Sequence, residues 1–313
     1  MKYIELINNL LKEQVSKHEQ LVIFGQNVSA GSCIGGMTRG LSVPKSGRII
    51  NSTNSENSLC GFGFGMMINE VSSIFFMKQL DFLLLGIDHL VNTFNVIRHH
   101  ENNSSFTIFP IVMDNGYQGL QSSSNNFADF CSIARIKGYT ITNKIDAEKI
   151  ISSELVSPGF RIIAISQRMF KDEVIVPDEL IYVNDENDVF QYNVGDEVTV
   201  VCFNFSFPYG NEIVNILKDN NLTSSLFNVN SPTPTNWSKI IDDVSKTKKI
   251  IIIDDSKSEN LNFYSLLNDI SDKIVLDKKI ILKRNLDNTD WLNPIDDKMN
   301  VNLQQIVNDL VEK

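Results

Sequence analysis

Histidine is scarce in this chain, with four in 313 residues, and the four cysteines, Cys33, Cys60, Cys131 and Cys202, form no Cys-x-x-Cys pair. The paired spacing of ordinary zinc sites is therefore missing, and no metal ligand set is expected. His99-His100-Glu101 has the right residue types, but adjacent helical residues point in different directions, so it reads as a solvated helix end. Basic residues number 28 against 38 acidic ones, a net charge of −10, and they are scattered. With no Lys/Arg-rich stripe to neutralise phosphates, nucleic acid is not an expected partner. The most lipid-like stretch, "IFFMKQLDFLLLGI", is interrupted by Lys78 and Asp81 and falls short of the ~20 apolar residues of a membrane span, so no membrane contact is expected. The N-terminus, "MKYIELINNLLKEQVSKHEQ", sets Ile4, Leu6, Ile7, Leu10, Leu11 and Val15 at helical spacing with charges between them, unlike the unbroken apolar stretch of an export signal. An amphipathic first helix, free thiols and a cytoplasmic location are the expectation.

A phosphate-binding loop is also lacking, since Gly-x-x-x-x-Gly-Lys-Ser/Thr occurs nowhere. In "NSTNSENSLCGFGFGMM" (51–67), Gly61, Gly63 and Gly65 are followed by Met66 where the third glycine of Gly-x-Gly-x-x-Gly belongs, so a nicotinamide-dependent oxidoreductase fails on spacing. Glycines at i, i+2 and i+4 instead strip side chains from a helix and let another backbone or a planar group come close. Glu56, just ahead of them, completes with Thr53 a capping-box spacing. It is either that cap or a functional carboxylate, and spacing leaves both open. Asp254-Asp255 follows the apolar run 249–253; such a pair at a strand exit can hold a cation but reads first as solvated. Gly195-Asp196 reads as a turn into a strand.

With 42% hydrophobic and 21% charged residues, the chain is one that buries a core. Short β-rich runs at 20–24, 48–50, 72–76, 106–113, 138–142 and 160–166 alternate with apolar 3.6-period segments, notably 80–97 and 146–156. Strands separated by helices imply crossovers and a mostly parallel sheet covered on both faces. From 169 to 197 the pattern loosens into an acidic stretch without helical period. After it the alternation restarts with "VTVVCF", "SSLFNV" and "KKIIIIDDS", with helices near 208–219, 235–246 and 259–269 and from 301. The expected fold class is α/β: two three-layer α/β/α domains with mostly parallel sheets, at 1–175 and 190–313.

The stretch "RIINSTNSENSLCGFGFGMMIN" resembles the β subunit of the first component of 2-oxo acid dehydrogenase complexes, of pyruvate and branched-chain types, in the transketolase-like family that uses thiamine diphosphate. There a strand leads into a Ser/Cys-Glu-Ser step and a Gly-rich helix. The likeness continues through "LVIFGQNVSAGSCIGGMTRGL", "DFLLLGIDHLVNTFNVIRHH", the segment from Glu197 to Ser256 and the closing "LKRNLDNTDWLNPIDDKMNVNLQQIVNDLVEK", so it covers essentially the whole chain. It implies a pyrimidine-binding domain followed by a transketolase C-terminal-like domain. It implies that Glu56 is the catalytic carboxylate, hydrogen-bonding the aminopyrimidine of the cofactor so that the ring's own imino group acts as base. Phe82 would lie against the pyrimidine face, and Asn54 would border the same ring. Asn115, Tyr117, Gln118 and Ser122, polar and following the 106–113 strand, are expected to line the substrate's entry, where open α/β sheets bind ligands.

Departures from the family pattern refine this picture. Its His-Ser-Gln step falls on Ser122-Ser123-Ser124, a second family histidine falls on Ser132, and Lys78 stands where a glutamine is usual. Loss of the imidazoles argues against lipoyl-linked oxidation and toward cleavage of a C–C bond next to a carbonyl in a 2-oxo acid or ketose, by decarboxylation or by ketol or acyl transfer to a carbonyl acceptor. The chain has no Gly-Asp-Gly step, so the diphosphate and its Mg²⁺ are expected to be held by an α-type partner, in a heterotetramer of two α and two β chains that alone is active. The alternative is a catalytically degenerate β-like chain that scaffolds or regulates a partner.

Overall fold

Runs such as 73–77 and 105–112, unbroken by charge, suit strands covered on both faces. In the computed structural model they are wholly buried central strands. The structure describes residues 1–100, 103–115, 124–233, 236–284 and 298–311. In chain order it runs α1 (Tyr3–Val15), β1 (Val22–Gly25), β2 (Arg48–Asn51), α2 (Glu56–Ile68), β3 (Ser73–Met77), α3 (Leu83–Asp88), α4 (Phe94–Ile97), β4 (Ser105–Val112), α5 (Phe127–Ala134), β5 (Lys137–Ile141), α6 (Lys144–Glu154) and β6 (Gly159–Ser166). These strands form a six-stranded parallel sheet in the order β2-β1-β3-β4-β6-β5. The second half follows as β7 (Tyr182–Val183), β8 (Val189–Asn193), β9 (Val198–Phe203), α7 (Phe207–Asp219), β10 (Ser224–Val229), α8 (Ser238–Thr247), β11 (Lys249–Asp254), α9 (Phe263–Ser271), β12 (Lys278–Lys283) and α10 (Leu303–Val311). Its sheet has the order β12-β11-β9-β10-β8-β7 and is parallel except for β7 and β8. Two mostly parallel sheets with flanking helices are the α/β architecture expected.

Three features differ from the sequence pattern. The acidic stretch 169–197 carries the β7–β8 hairpin, which extends the second sheet. Segment 80–97 is not one regular helix: a 3-10 turn at Leu80–Phe82 leads into α3, then a π-helical turn at His89–Thr93, then α4. By length and composition this run is apolar enough to cross a bilayer, and a third of it is buried inside the fold. Central strand β4 contains Pro110, opposite Met77 of β3. Toward β6 the pairing steps from Ile108↔Ile162 to Ile111↔Ile165, so the interruption falls where proline has no N–H to give.

The glycine run of α2 serves close packing. A Cβ on Gly63 would lie 2.1 Å from the Phe106 ring, and one on Gly61 would lie 3.0 Å from the His89 ring, whereas Gly65 meets nothing within 4 Å. Through Gly63 the Phe106 ring reaches Phe64, edge-on at 5.0 Å, and Phe160 at 5.2 Å, forming the aromatic centre of the first core.

The two halves are joined by buried polar groups. Asp146, fully buried, has no ion-pair partner among the described residues. It accepts from Thr142 N at 3.0 Å, Thr142 Oγ1 at 2.6 Å, Asn143 N at 3.0 Å and Asn143 Nδ2 at 3.0 Å, and across the junction from Asn228 Nδ2 at 3.2 Å and Asn230 Nδ2 at 2.8 Å. Burial pushes its carboxyl up to about 6 in spite of these donors.

Gly63→Ala is expected to lower stability by about 1–3 kcal/mol through overpacking, and Gly65→Ala to raise it by about 0.5–1 kcal/mol, both read by urea denaturation. The Asp146 group is raised in the folded state, so its stabilisation is complete below its ordinary value near 3.8 and is lost as pH rises through about 6. At about 1.4 kcal/mol per unit, the stability of the native chain relative to Asp146→Asn should fall by about 2 kcal/mol between pH 4 and pH 7. Equal pH profiles for the two proteins would remove Asp146 from that role.

Candidate active site

Thr53 and Glu56 form no capping box. α2 begins at Glu56 itself, with Ser55 as an N-cap that makes no side-chain cap hydrogen bond. Glu56 therefore occupies the first helical position, where a positive helix end favours a carboxylate, and not the third, from which it could reach back to cap. The residue is 8% exposed and accepts no hydrogen bond among the described residues. A nearly enclosed acceptor without a donor is uncommon in a folded protein, since desolvating it costs free energy. One turn on, burial and then the Glu56 charge push the Cys60 thiol up to about 12. Gly86 of α3 closes over this turn: a Cβ there would sit 2.5 Å from Cys60 Sγ and 3.4 Å from the Glu56 carbonyl oxygen.

The other candidates distribute along the carboxyl edge of the first sheet. Asn54 is exposed in the turn between β2 and α2, and Phe82, half-buried, ends the 3-10 turn after β3. Asn115 is exposed just beyond β4. Next to Phe82, buried Asp81 accepts from Ser124 N at 3.1 Å, which ties the turn after β3 to the segment after β4. Tyr117, Gln118 and Ser122 lie outside the described residues. Glu56, Phe82 and Asn115 thus follow β2, β3 and β4 on one edge, and no hydrogen bond joins them among the described residues.

Between them lies the point where the chain order reverses, β1 leading to β2 on one side and β3 lying on the other; such a switch opens a crevice at the strands' carboxyl ends. Gly25 (φ 143°) makes the turn out of β1, where a Cβ would meet the Phe76 carbonyl oxygen at 2.2 Å. A cavity of about 260 Å³ opens there, with Gln26, Asn27, Ser32, Lys78, Gln79 and Gln167 as its polar lining. Its wall includes a left-handed turn, Cys33 (φ 50°), Ile34 (φ 50°), Gly35 (φ 66°) and Gly36 (φ 98°). From sequence alone Lys78 stood out only as a departure from the family, and the remaining lining went unnoticed. The signal available was the glycine-flanked "AGSCIGG".

The solvated reading of Asp254-Asp255 is corrected. Both are buried, because the exit of β11 abuts the first half of the molecule and not water. Asp255 pairs with Arg168 at 2.5 Å and accepts from Asn204 Nδ2 at 2.8 Å and Phe205 N at 3.0 Å. Arg168 lies 3.8 Å from Asp114, which also accepts from Ser166 Oγ at 2.6 Å. Burial pushes the Asp254 carboxyl up to about 6. No group of three or more possible metal ligands occurs among the described residues.

Comparison with known proteins adds to this geometry. No family model matches the chain. It is 22% identical over 294 residues to the 2-oxoisovalerate dehydrogenase subunit beta of Bacillus subtilis, covering 91% of this chain and 88% of that one. It is 22% identical over 277 residues to the mitochondrial pyruvate dehydrogenase E1 component subunit beta of Dictyostelium discoideum, covering 82% and 74%. The subunit beta of the E1 component of pyruvate dehydrogenase from Acholeplasma laidlawii is 23% identical over 260 residues, covering 80% and 78%. Among solved structures, a chain described as a split gene transketolase, inactive beta4 tetramer, superimposes with a TM-score of 0.68 at 12% identity, covering 98% of this chain and 95% of that one, which shows the shared fold. The likeness first carried by the residues around Glu56 extends over most of the chain: in sequence it is similar to the beta subunits of 2-oxoisovalerate and pyruvate dehydrogenases, and in fold to the split gene transketolase chain.

Proposed function

We propose that this chain is the pyrimidine-side half of a two-chain thiamine-diphosphate enzyme that cleaves a C–C bond next to a carbonyl in a 2-oxo acid or ketose, by decarboxylation or by ketol or acyl transfer and without a lipoyl acceptor. The observation that carries this reading is Glu56, 8% exposed at the start of α2 and without a hydrogen-bond donor among the described residues. When bound, thiamine diphosphate supplies the electron sink for breaking such a bond. Glu56 fits its aminopyrimidine: a largely buried carboxylate with no partner among the described residues is available to a ring nitrogen, with which it can share a proton. Phe82, half-buried on the same sheet edge, offers a ring face to the same heterocycle. Asn54, Asn115, Tyr117, Gln118 and Ser122 belong to this proposal on sequence grounds.

The diphosphate and Mg²⁺ fall to an α-type partner, since no Gly-Asp-Gly step is present. A surface suited to such a chain adjoins the site. Phe62 and Ile68 of α2, Leu84 and Leu85 of α3 and Ile50 of β2 are exposed, and a groove of about 580 Å³ runs between β2 and α2. Contiguous exposed apolar residues of this kind mark interaction surfaces. Serines at 122–124 in place of the family's histidine step favour a second reading, a non-catalytic β-like chain that stabilises its partner.

In the co-purified complex, Glu56→Gln should lower turnover by at least about 100-fold and weaken thiamine diphosphate binding in calorimetry. Unchanged turnover would sink the mechanism, and cofactor binding indifferent to Glu56 would favour the non-catalytic reading. Phe62→Asp should abolish co-purification of the partner while circular dichroism of the chain stays native.

A further inference from the structure

We propose that the cavity at the strand-order switch is an anion subsite, in which Lys78 supplies the charge that receives a carboxylate or phosphate at the far end of the substrate. This deepens, and rests on, the reading of the chain as half of a 2-oxo acid or ketose enzyme: acid-tailed substrates are accepted over neutral aliphatic ones. Position, charge and strain converge on the same hollow.

The hollow sits at the carboxyl ends of β1 and β3, on the edge that carries Glu56, Phe82 and Asn115, and Lys78 precedes Phe82 by four residues. Among the described residues its polar lining consists of amides, one hydroxyl and one ammonium, with no carboxylate. Lys78 makes no hydrogen bond or ion pair among the described residues. The nearby acid, Asp114, is engaged by Ser166 and by Arg168, whose guanidinium also holds Asp255. Ile34, Ile111, Met113 and Phe170 form the apolar part of the wall. Lys78 is an exposed residue at this hollow, so the apolar wall lowers the effective dielectric on one side of it only and strengthens its attraction for an anion modestly over that of open water.

The third sign is conformational. Ile34 is a β-branched residue held at φ 50° and 3% exposed, inside the left-handed turn that walls the hollow. That conformation costs roughly 1–2 kcal/mol for a non-glycine residue, and persistent strain of this kind clusters at ligand sites. At about 260 Å³ the hollow suits an acid group with a few carbons and is smaller than the usual volume of a whole cofactor pocket.

The full chain alone, titrated calorimetrically at low salt with succinate, inorganic phosphate and succinamide, tests this. Saturable binding of succinate or of phosphate is expected, the tighter one identifying the tail as carboxylate or phosphate, with none for neutral succinamide. Lys78→Gln should weaken that binding at least about tenfold, while Lys78→Arg and the exposed-site control Lys45→Gln keep it. Absence of saturation by either anion in the millimolar range, equal binding by Lys78→Gln, or equal binding of succinamide would overturn the subsite. The measurement needs no partner, cofactor or turnover, so its failure leaves the Glu56 reading standing, and failure of the Glu56 reading would show in the complex alone.

Discussion

A largely buried acid at the first position of a helix, with no hydrogen-bond partner among the described residues, is the constraint from which the proposed chemistry follows. Glu56 can sit there only because α2 begins on it, so that the helix end faces its charge without binding it, and because Gly86 lets α3 close over the turn that follows. The first turn of α2 must in turn be fixed against the sheet, which is what Gly63 secures by admitting the Phe106 ring. The chain of dependence thus runs from a missing methyl group in a helix to the position of an acid at the edge of a sheet.

The junction between the halves follows a different logic. Asp146 is held by neutral donors from both sides, and Asp255 by a buried arginine. Removing one partner from either cluster would strand buried polar groups, which is more costly than the intact interaction is favourable. Such contacts specify one relative arrangement of the two sheets. The arrangement matters because Asn125 and Asn126, just before α5, hydrogen-bond the backbone at Asp255 and Lys257 of the second half.

Much of the architecture was legible because both sheets are mainly parallel. Strands covered on two faces must read as apolar runs, and β3, β4, β6, β9 and β11 did. The β7–β8 hairpin was hidden because short antiparallel strands in an acidic stretch lack that signal, and β12, partly exposed and lysine-rich, was hidden for the same reason. The break in 80–97 was invisible to periodicity, since a 3-10 turn and a π-helical turn shift the phase without changing the composition. Around the site, the reading of Glu56 as a functional carboxylate rests on family likeness, because its spacing from Thr53 suits a cap equally well. The burial of Asp254 and Asp255 and the crevice lining depend on which loops meet in space, and nothing local records that.

The exposed hydrophobic rim formed by Phe62, Leu84 and Leu85 bears on how the protein has to be produced. A chain synthesised in excess of whatever covers that rim enters solution with adhesive surface, and burying it against another copy is the nearest remedy. With the proposed partner covering it, dosage, the ratio at which the two polypeptides leave the ribosome, would set how much stays in solution.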